Sequence, residues 1–257
     1  MRQGGYDPTF FDRLALIEDC HFWFRSRSRL IFDVSSKISR DLPPASRILE
    51  VGCGTGNVLK CLELAYPQGT VFGLDFWQEG LQYARRRTSC PLIRADLNLH
   101  PFRTPFHVIG IFDVLEHISD DQRALEDLCS MLVPGGTLLI TVPAHQWLWS
   151  YFDEAARHCR RYSVADLSTK LELAGFRIDF LTQFMACTLP LLAAVRKLPL
   201  LMNGGKAADD RQLAGREFRV IPVLNAALTG IANVESWWAS RGHRLPWGSS
   251  ILAVARR

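Results

Sequence analysis

The chain has 257 residues, of which 48% are apolar and 22% are charged, and its formal net charge is +4. This balance is that of an ordinary globular protein, and it excludes a disordered chain, a collagen and a coiled coil. So small a positive charge does not indicate a nucleic-acid partner, which usually requires a concentrated basic face. From the length we expect one large domain, or one domain with an insertion.

Three features bear on where the protein works. Its seven cysteines, an odd number without a Cys-x-x-Cys pair, predict neither a disulfide framework nor a structural zinc site and favour a reducing cytoplasm. The residues after Met1 do not combine a basic patch with an apolar core, so no secretory signal is expected. The two longest apolar runs, 181–195 and 220–234, are too short to span a bilayer, and each is interrupted by a proline.

The chain begins with a segment predicted to be helical, 8–40, which Pro43-Pro44 ends. Strand and helix patterns then alternate. Predicted strands cover 47–51, 70–74, 92–95, 106–112, 137–142, 176–182 and 249–255, and predicted helices cover 57–66, 77–87, 119–132 and 163–174.

Local signals mark several of these boundaries. Ser119 and Gln122 have the spacing of a capping box at the start of a helix. The residues 134–136, Pro-Gly-Gly, are predicted to be a turn before the fifth strand. Gly175 is predicted to end the helix that Ser163 begins, because glycine adopts a left-handed conformation without strain.

Strands that alternate with helices of about 10 to 15 residues predict a parallel sheet with helices on both faces. The predicted fold class is therefore α/β, a Rossmann-like, doubly wound, mostly parallel sheet of seven strands. We divide the chain into an N-terminal helical lid (1–44), a core (45–182 and 249–257) and an apolar helical insertion or cap (183–248) before the last strand.

Polar residues converge on the carboxyl edge of this sheet, where α/β proteins bind ligands. The first strand ends in the glycine loop, which we define as residues 52–56, Gly-Cys-Gly-Thr-Gly, and the next three strands end at Asp75, Asp96 and Asp113. Asp75 lies 19 residues after Gly56, where an acid can bind the two hydroxyls of a ribose. The sequence therefore predicts a nucleoside pocket.

The spacing of the glycine loop separates two kinds of cofactor. A dinucleotide site uses Gly-x-Gly-x-x-Gly to hold a pyrophosphate at a helix N-terminus. Here the spacing is Gly-x-Gly-x-Gly, and Glu50 lies two residues before the first glycine. A carboxylate there repels a phosphate and suits an ammonium or a sulfonium. The pattern favours S-adenosylmethionine, which has no phosphate.

Together these motifs resemble those of class I S-adenosylmethionine-dependent methyltransferases over residues 47–143, and more loosely over 163–182 and 249–255. The segment Asp113-Val-Leu-Glu116-His117 is most similar to the acid-x-x-Glu-His pattern of the ubiquinone-biosynthesis O-methyltransferase branch. The resemblance implies an enzyme that consumes S-adenosylmethionine and releases S-adenosylhomocysteine.

The resemblance also implies which residues contact the cofactor. Glu50 would face its amino group, Asp75 its ribose hydroxyls and Asp96 its adenine amino group. The full implied set is Glu50, Gly52, Cys53, Gly54, Asp75, Phe76, Trp77, Asp96, Leu97, Phe112, Asp113 and His117.

Methyl transfer from a sulfonium is a direct displacement. It needs alignment and exclusion of water, and a base only when the acceptor must lose a proton. His117 and His145, just past the fourth and fifth strands, are candidate catalytic residues, although His117 could instead contact the cofactor or cap a helix. Asp113, Glu116 and His117 could share a helical face and bind a divalent ion. We expect no metal, because ordinary helix starts have the same spacing.

Aromatic and basic residues follow the fifth strand in a segment that resembles one found in a subset of bacterial methyltransferases. The predicted substrate-binding residues are His145, Trp149, His158, Arg161 and Tyr162. An arginine beside a tyrosine can hold a carboxylate or a phosphate, and the alternative is a structural clamp onto the next helix.

Aromatic residues alternate with arginines between His21 and Arg29. We expect this stretch to be a lid over the cofactor pocket in which Arg25 meets an acid. A nucleic-acid surface and simple helix packing are the alternatives.

The predicted function is transfer of a methyl group to an oxygen, rather than a nitrogen or carbon, of a small or lipid-like acceptor. The insertion suits a cap over an apolar acceptor, with a membrane contact or a dimer surface as alternatives. We expect a cytoplasmic monomer or homodimer without a nucleic-acid partner, and leave peripheral membrane association open. The rival functions are a non-catalytic binding module and an NAD-dependent oxidoreductase, whose glycine spacing and Tyr-x-x-x-Lys motif the sequence lacks.

Overall fold

The computed structural model describes residues 7–202 and 219–257, so residues 1–6 of the predicted lid and 203–218 of the predicted insertion lie outside it. The strands of the described residues are β1 (Arg47–Val51), β2 (Thr70–Asp75), β3 (Leu92–Arg94), β4 (Phe106–Phe112), β5 (Leu132–Pro143), β6 (Arg177–Phe184) and β7 (Ser250–Arg256). The helices are α1 (Phe10–Ile17), α2 (Phe22–Arg40), α3 (Leu59–Ala65), α4 (Gln78–Arg87), α5 (Asp121–Ser130), α6 (Tyr151–Ala156), α7 (Val164–Leu173), α8 (Leu189–Met202) and α9 (Pro222–Ser240).

The strands form one sheet in the order β3-β2-β1-β4-β5-β7-β6. β7 runs antiparallel to both of its neighbours, and the other pairs are parallel. The predicted α/β class and the mostly parallel sheet of seven strands are confirmed.

The central strands are apolar throughout because helices cover both faces of the sheet. Successive residues of a strand point to opposite faces, so alternate residues enter different cores. Leu49 and Ile109 belong to one buried cluster, whereas Ile48 and Val108 belong to the other. Because β1 to β5 are parallel, their carboxyl ends lie at a single edge of the sheet, where the polar residues predicted from the sequence lie.

Three predicted boundaries are wrong. The first helix is interrupted, because extended His21 (ψ 132°) begins a second helix and accepts a hydrogen bond from the Trp23 amide. Asp120, not Ser119, is the N-cap of α5, since its side chain accepts from the Arg123 amide. The predicted turn at 134–136 is an irregularity inside β5, where Gly135 has a φ of 76°. The other predicted elements agree with the structure to within two residues.

α9 packs against α2, which is almost two hundred residues away in the chain. The Asn225 side chain accepts from the Phe22 amide (2.8 Å) and donates to the Cys20 carbonyl (2.9 Å). Ser236 Oγ shares its hydroxyl proton between the carbonyl oxygen of Ala232 on its own helix (2.8 Å) and that of Ser26 on α2 (3.2 Å). The N-terminal helices and the insertion are therefore fastened to each other at the same edge of the sheet.

Among the described residues, no helix combines the length and the apolar character that crossing a membrane requires.

Candidate active site

A cavity of about 1130 Å³ opens at the carboxyl ends of β1, β2 and β4. Its walls come from the strand ends, from the N-terminal helices and from α8 and α9. Pockets for one drug-sized ligand typically measure about 300–1,000 Å³. This cavity therefore has room for a nucleoside and for part of a second molecule.

The glycine loop follows β1 in the chain, leads into α3 and passes the end of β2 along the cavity wall. The amides of Gly52 and Cys53 both donate to the carbonyl oxygen of Leu74, at 2.8 and 3.0 Å. Gly52 has a φ of 71°, and a Cβ added there would lie 2.4 Å from Cγ2 of Val114. The position therefore requires glycine for its conformation and for the space it leaves.

Asp75 ends β2 and is almost fully buried against the glycine loop. Its Oδ2 accepts from the Gly54 amide and its Oδ1 from the Trp77 amide, both at 2.7 Å. Burial raises the pKa of Asp75 above its usual value, although these amide hydrogen bonds oppose the shift. Each carboxylate oxygen can accept a second hydrogen bond, so the side chain can still receive ligand hydroxyls.

Glu50 lies deeper in the wall and is only 3% exposed. Its Oε2 makes no hydrogen bond to any described residue. Burial raises the pKa of Glu50 well above its usual value, while the nearby Arg27 opposes this shift. A buried carboxyl group of this kind favours a ligand that brings a positive charge or a hydrogen-bond donor.

Asp113, just after β4, has a φ of 55° and faces α2. Its Oδ2 accepts from Arg27 Nη1 (2.5 Å) and from Thr141 Oγ1 (3.0 Å). The Arg27 guanidinium also lies over the Trp23 ring, 4.8 Å from its centroid. The prediction that Arg25 meets an acid is corrected, because Arg25 is exposed and Arg27, two residues along the helix, faces the cavity instead.

We expect Arg27→Ala to lower the free energy of unfolding by about 2 kcal/mol, because it leaves the mostly buried Asp113 without its cation. This figure lies below the usual loss for a fully buried pair, since Asp113 keeps some exposure. Urea denaturation measures the change. Arg25→Ala, an exposed substitution of the same type on the same helix, should change stability by no more than about 0.5 kcal/mol. Equal losses in the two variants would contradict the argument.

Glu116, His117 and His158 meet at the cavity wall beside Asp113. The Cys159 amide donates to the carbonyl oxygen of Glu116 (2.7 Å), which brings the segment after α6 against the end of β4. The rings of His117 and His158 contact each other edge to face, with centroids 4.8 Å apart. Burial and the proximity of His158 lower the pKa of His117 to about 3.

Asp153 is fully buried and contacts the His158 ring of this cluster. Its Oδ1 contacts His158 Nδ1 (2.8 Å) and accepts from Arg161 Nε (2.7 Å). Its Oδ2 accepts from the Ser150 amide (3.0 Å), which completes the capping box of α6. Burial alone would raise the pKa of Asp153, but the hydrogen bond to His158 and the charge of Arg161 outweigh it and bring the pKa to about 2.

The side chains that could hold a metal differ from the predicted set. Ligand atoms of Glu116, His117 and His158 all lie within 4.8 Å of one another. Asp113, which the sequence grouped with Glu116 and His117, is instead bound to Arg27.

All the predicted cofactor residues line the cavity, as do the predicted substrate residues His158 and Arg161. Asp96 also caps the short helical turn that follows it, since its Oδ1 accepts from the Asn98 amide (2.9 Å). Burial raises the pKa of the Cys53 thiol well above its usual value, so that this group stays neutral. The structure thus brings these residues together, while their contacts to a cofactor remain predictions.

The remaining predicted site residues, His145, Trp149 and Tyr162, do not line this cavity. Tyr162 is fully buried, and its hydroxyl donates to Asp121 Oδ2 (2.9 Å). Trp149 Nε1 donates to Glu154 Oε1 (2.7 Å), and the His145 amide donates to the carbonyl oxygen of Tyr162 (2.8 Å). The structure does not bring these three side chains to the cavity, so the predicted substrate contacts and the predicted catalytic role of His145 gain no support from it. Tyr162 fastens its segment to α5, which Asp121 begins, rather than to the helix that follows it in the chain.

The sequence analysis missed the acid that fastens α1 to the glycine loop. Glu18 lines the cavity and accepts from Thr55 Oγ1 and from Arg87 Nη1, the latter at 2.6 Å. No motif marks Glu18, because its partners are 37 and 69 residues away. It also missed Asp153, for which the Ser150–Asp153 capping-box spacing was an available signal.

Comparisons with known proteins agree with this architecture. A family model described as a methyltransferase domain matches residues 23–180, which is more than half of the chain. A trans-aconitate 2-methyltransferase from Azoarcus sp. (strain BH72) is 28% identical over 59% of this chain and 56% of its own length. A probable tRNA methyltransferase 9B from Homo sapiens is 35% identical over 43% of this chain and 24% of its own length.

Among solved structures, a methyltransferase in complex with the Haloferax volcanii Trm112 methyltransferase activator matches with a TM-score of 0.60 and 17% identity. That match covers 96% of this chain and 94% of the other, and it shows a shared fold. The chain belongs to the methyltransferase domain family and has the class I S-adenosylmethionine-dependent fold. It spans about a quarter to just over half of the length of the two curated relatives named above.

Proposed function

We propose that the chain transfers a methyl group from S-adenosylmethionine to an oxygen of a small or lipid-like acceptor. The observation that carries the proposal is one cavity that contains the glycine loop, the ribose-type acid Asp75 and the buried carboxyl group of Glu50. Among the described residues Glu50 Oε2 has no hydrogen-bond partner, which supports a cationic donor over an anionic dinucleotide.

The donor would lie along the ends of β1 and β2. In this arrangement Asp75 accepts from the ribose hydroxyls, with Phe76 and Trp77 beside the adenine. Asp96 and Leu97 lie at the adenine end of the cavity wall. The remaining proposed contacts, to the methionine part and the sulfonium, are Glu50, Gly52, Cys53, Gly54, Phe112, Asp113 and His117.

The acceptor would occupy the part of the cavity that α6, α8 and α9 surround. Its wall combines apolar side chains such as Leu192 and Leu228 with the polar groups of His158 and Arg161. Such a wall suits a molecule with an apolar body and a polar group. We accordingly propose that the N-terminal helices act as a lid and the insertion as a cap.

Methyl transfer requires the protein mainly to position the acceptor against the methyl group of the donor. The nucleophile must approach the methyl carbon to within about 3–3.5 Å, in line with the sulfur and away from water. The buried strand ends on one side and the helices on the other provide that exclusion. His117 is the remaining candidate catalytic residue, since it lines the cavity next to Asp113.

The choice of oxygen depends on the acid-x-x-Glu-His segment alone, and the choice of a small or lipid-like acceptor depends on the apolar wall. One relative is described as a probable tRNA methyltransferase, which makes RNA the second candidate acceptor. The small net charge favours the first candidate.

Two measurements test the proposal. Isothermal titration should show one molecule of S-adenosylhomocysteine bound per chain and no binding of NAD. Incubation of cell extract with radiolabelled donor, followed by separation, should place the label in the lipid or small-molecule fraction, on an oxygen. Label in the nucleic-acid fraction would overturn the acceptor class, and absence of S-adenosylhomocysteine binding would overturn the whole proposal.

A further inference from the structure

Glu116, His117 and His158 form a cluster at the cavity wall, and the proposed function assigns a role to His117 and His158 but none to Glu116. Glu116 and His117 lie in the short helical turn after β4, and His158 lies in the segment after α6. Between the two segments, Glu116 Oε1 lies 4.0 Å from His158 Nε2. Each of the three side chains offers one ligand atom, and these atoms lie within 4.8 Å of one another.

The Glu116 carboxyl group is 1% exposed, and its Oε2 makes no hydrogen bond to any described residue. A buried carboxyl oxygen without a hydrogen-bond partner is unfavourable, and a bound cation would compensate it. The two nearby guanidinium groups already have partners, because Arg161 binds Asp153 and Arg27 binds Asp113. Glu116 therefore lies in a polar site that the described protein groups leave incomplete.

His158 is held in the orientation of a metal ligand. Its Nδ1 contacts Asp153 Oδ1 at 2.8 Å, which fixes the orientation of the ring. The other ring nitrogen, Nε2, lies 4.0 Å from Glu116 Oε1. A histidine that donates to a buried carboxylate and presents its other nitrogen is typical of metal centres. Arg161 and Ser150 fix the carboxylate in turn.

We propose that Glu116, His117 and His158 bind one divalent transition-metal ion at the cavity wall, with Asp153 as the outer partner of His158. Two imidazoles and one carboxylate suit Zn²⁺, Co²⁺ or Mn²⁺, whereas Mg²⁺ and Ca²⁺ prefer oxygen ligands. This proposal replaces the expectation of no metal and changes the predicted ligands, since His158 takes the place of Asp113.

Binding requires a small closure of the site. Ligand atoms about 2.0–2.1 Å from a tetrahedral ion lie about 3.3 Å from one another, so the three side chains must move together by about 1 Å or less each. The remaining coordination positions face the cavity. If the proposed function holds, an acceptor hydroxyl placed there would lose its proton more readily than in water, and no protein base would be needed.

The test uses the full chain without a polyhistidine tag, after treatment with a chelator. Calorimetry should show one Zn²⁺ bound per chain, and Co²⁺ should give the absorption bands of an ordered low-symmetry site, while Mg²⁺ at the same concentration should bind at least about 100-fold more weakly. His158→Ala and Glu116→Gln should weaken Zn²⁺ binding at least about 100-fold, and Asp153→Asn by about 10–100-fold. His243→Ala removes an exposed histidine outside the cavity and should change nothing.

Unchanged affinity in both ligand variants, or no bound ion in the native chain, would overturn the proposal. Glu116→Gln keeps the size of the side chain, so it decides the matter should His158→Ala fail to fold. S-adenosylhomocysteine binding by the chelator-treated chain separates this inference from the proposed function. Retained nucleoside binding without any metal binding would overturn the metal site alone, and loss of nucleoside binding would count against the methyltransferase.

Discussion

Replacing Asp75 by alanine is expected to raise the dissociation constant for S-adenosylhomocysteine at least tenfold. The carboxylate is proposed to accept from the ribose hydroxyls, and hydrogen bonds to charged groups are worth about 1.5–3 kcal/mol. It also holds the amides of Gly54 and Trp77, so its loss loosens the wall on both sides of the nucleoside. Isothermal titration measures the constant directly.

Asp179→Ala is the matched control for the Asp75 variant. Asp179 is also a carboxylate on a strand of the sheet. It lies on β6, the outermost strand on the side away from β2, and forms ion pairs with Arg177 and Arg256. Its removal should leave the dissociation constant unchanged. Thermal melts of both variants establish that the chains remain folded. A tenfold loss shared by the two variants, or no loss at Asp75, would remove Asp75 from the site.

Gly52→Ala is expected to lower the free energy of unfolding by about 2–5 kcal/mol and to weaken nucleoside binding with it. A non-glycine residue in the left-handed region loses about 1–2 kcal/mol. The new methyl group would also lie 2.4 Å from Val114, and crowding of this kind typically adds about 1–3 kcal/mol. Urea denaturation gives the stability, and calorimetry gives the affinity.

Two further variants separate the strain from the clash. Gly135 has a similar φ of 76°, but nothing lies within 4 Å of an added Cβ, so Gly135→Ala should show only the loss of about 1–2 kcal/mol. Adding Val114→Ala to Gly52→Ala should recover part of the stability by removing the crowded methyl groups. A Gly52→Ala loss no larger than that of Gly135→Ala would contradict the close approach.

The residues at the carboxyl edge of the sheet could be predicted from the sequence, because each strand end is marked by neighbouring residues in the chain. A strand buried on both faces is a continuous apolar run, and the first polar residue after it marks the carboxyl end. Asp75 and Asp113 follow strands of this kind, and both line the cavity. The need for glycine at position 52 also follows from the turn that connects β1 to the next helix.

The contacts across the cavity could not be predicted, because they depend on how distant segments pack. Arg27 and Asp113 are 86 residues apart, and only the rotation of α2 about its axis decides that Arg27 rather than Arg25 reaches the acid. Tyr162 follows Arg161 in the chain, yet a backbone bridge to Ala144 turns its ring into the core. The side chains of adjacent residues in an extended segment point in opposite directions, so Arg161 and Tyr162 do not face the same site although they are neighbours in the sequence.

The fastening of α2 to α9 has a consequence for how molecules enter and leave. Because Asn225 and Ser236 hold the backbone of the N-terminal helices, neither segment can swing outward without breaking contacts with the other. If the proposed function holds, the nucleoside and the acceptor would then have to pass these two helices to enter or leave the cavity. Hydrogen–deuterium exchange should therefore slow in both helices at once when either molecule is added, even though the two helices are far apart in the chain.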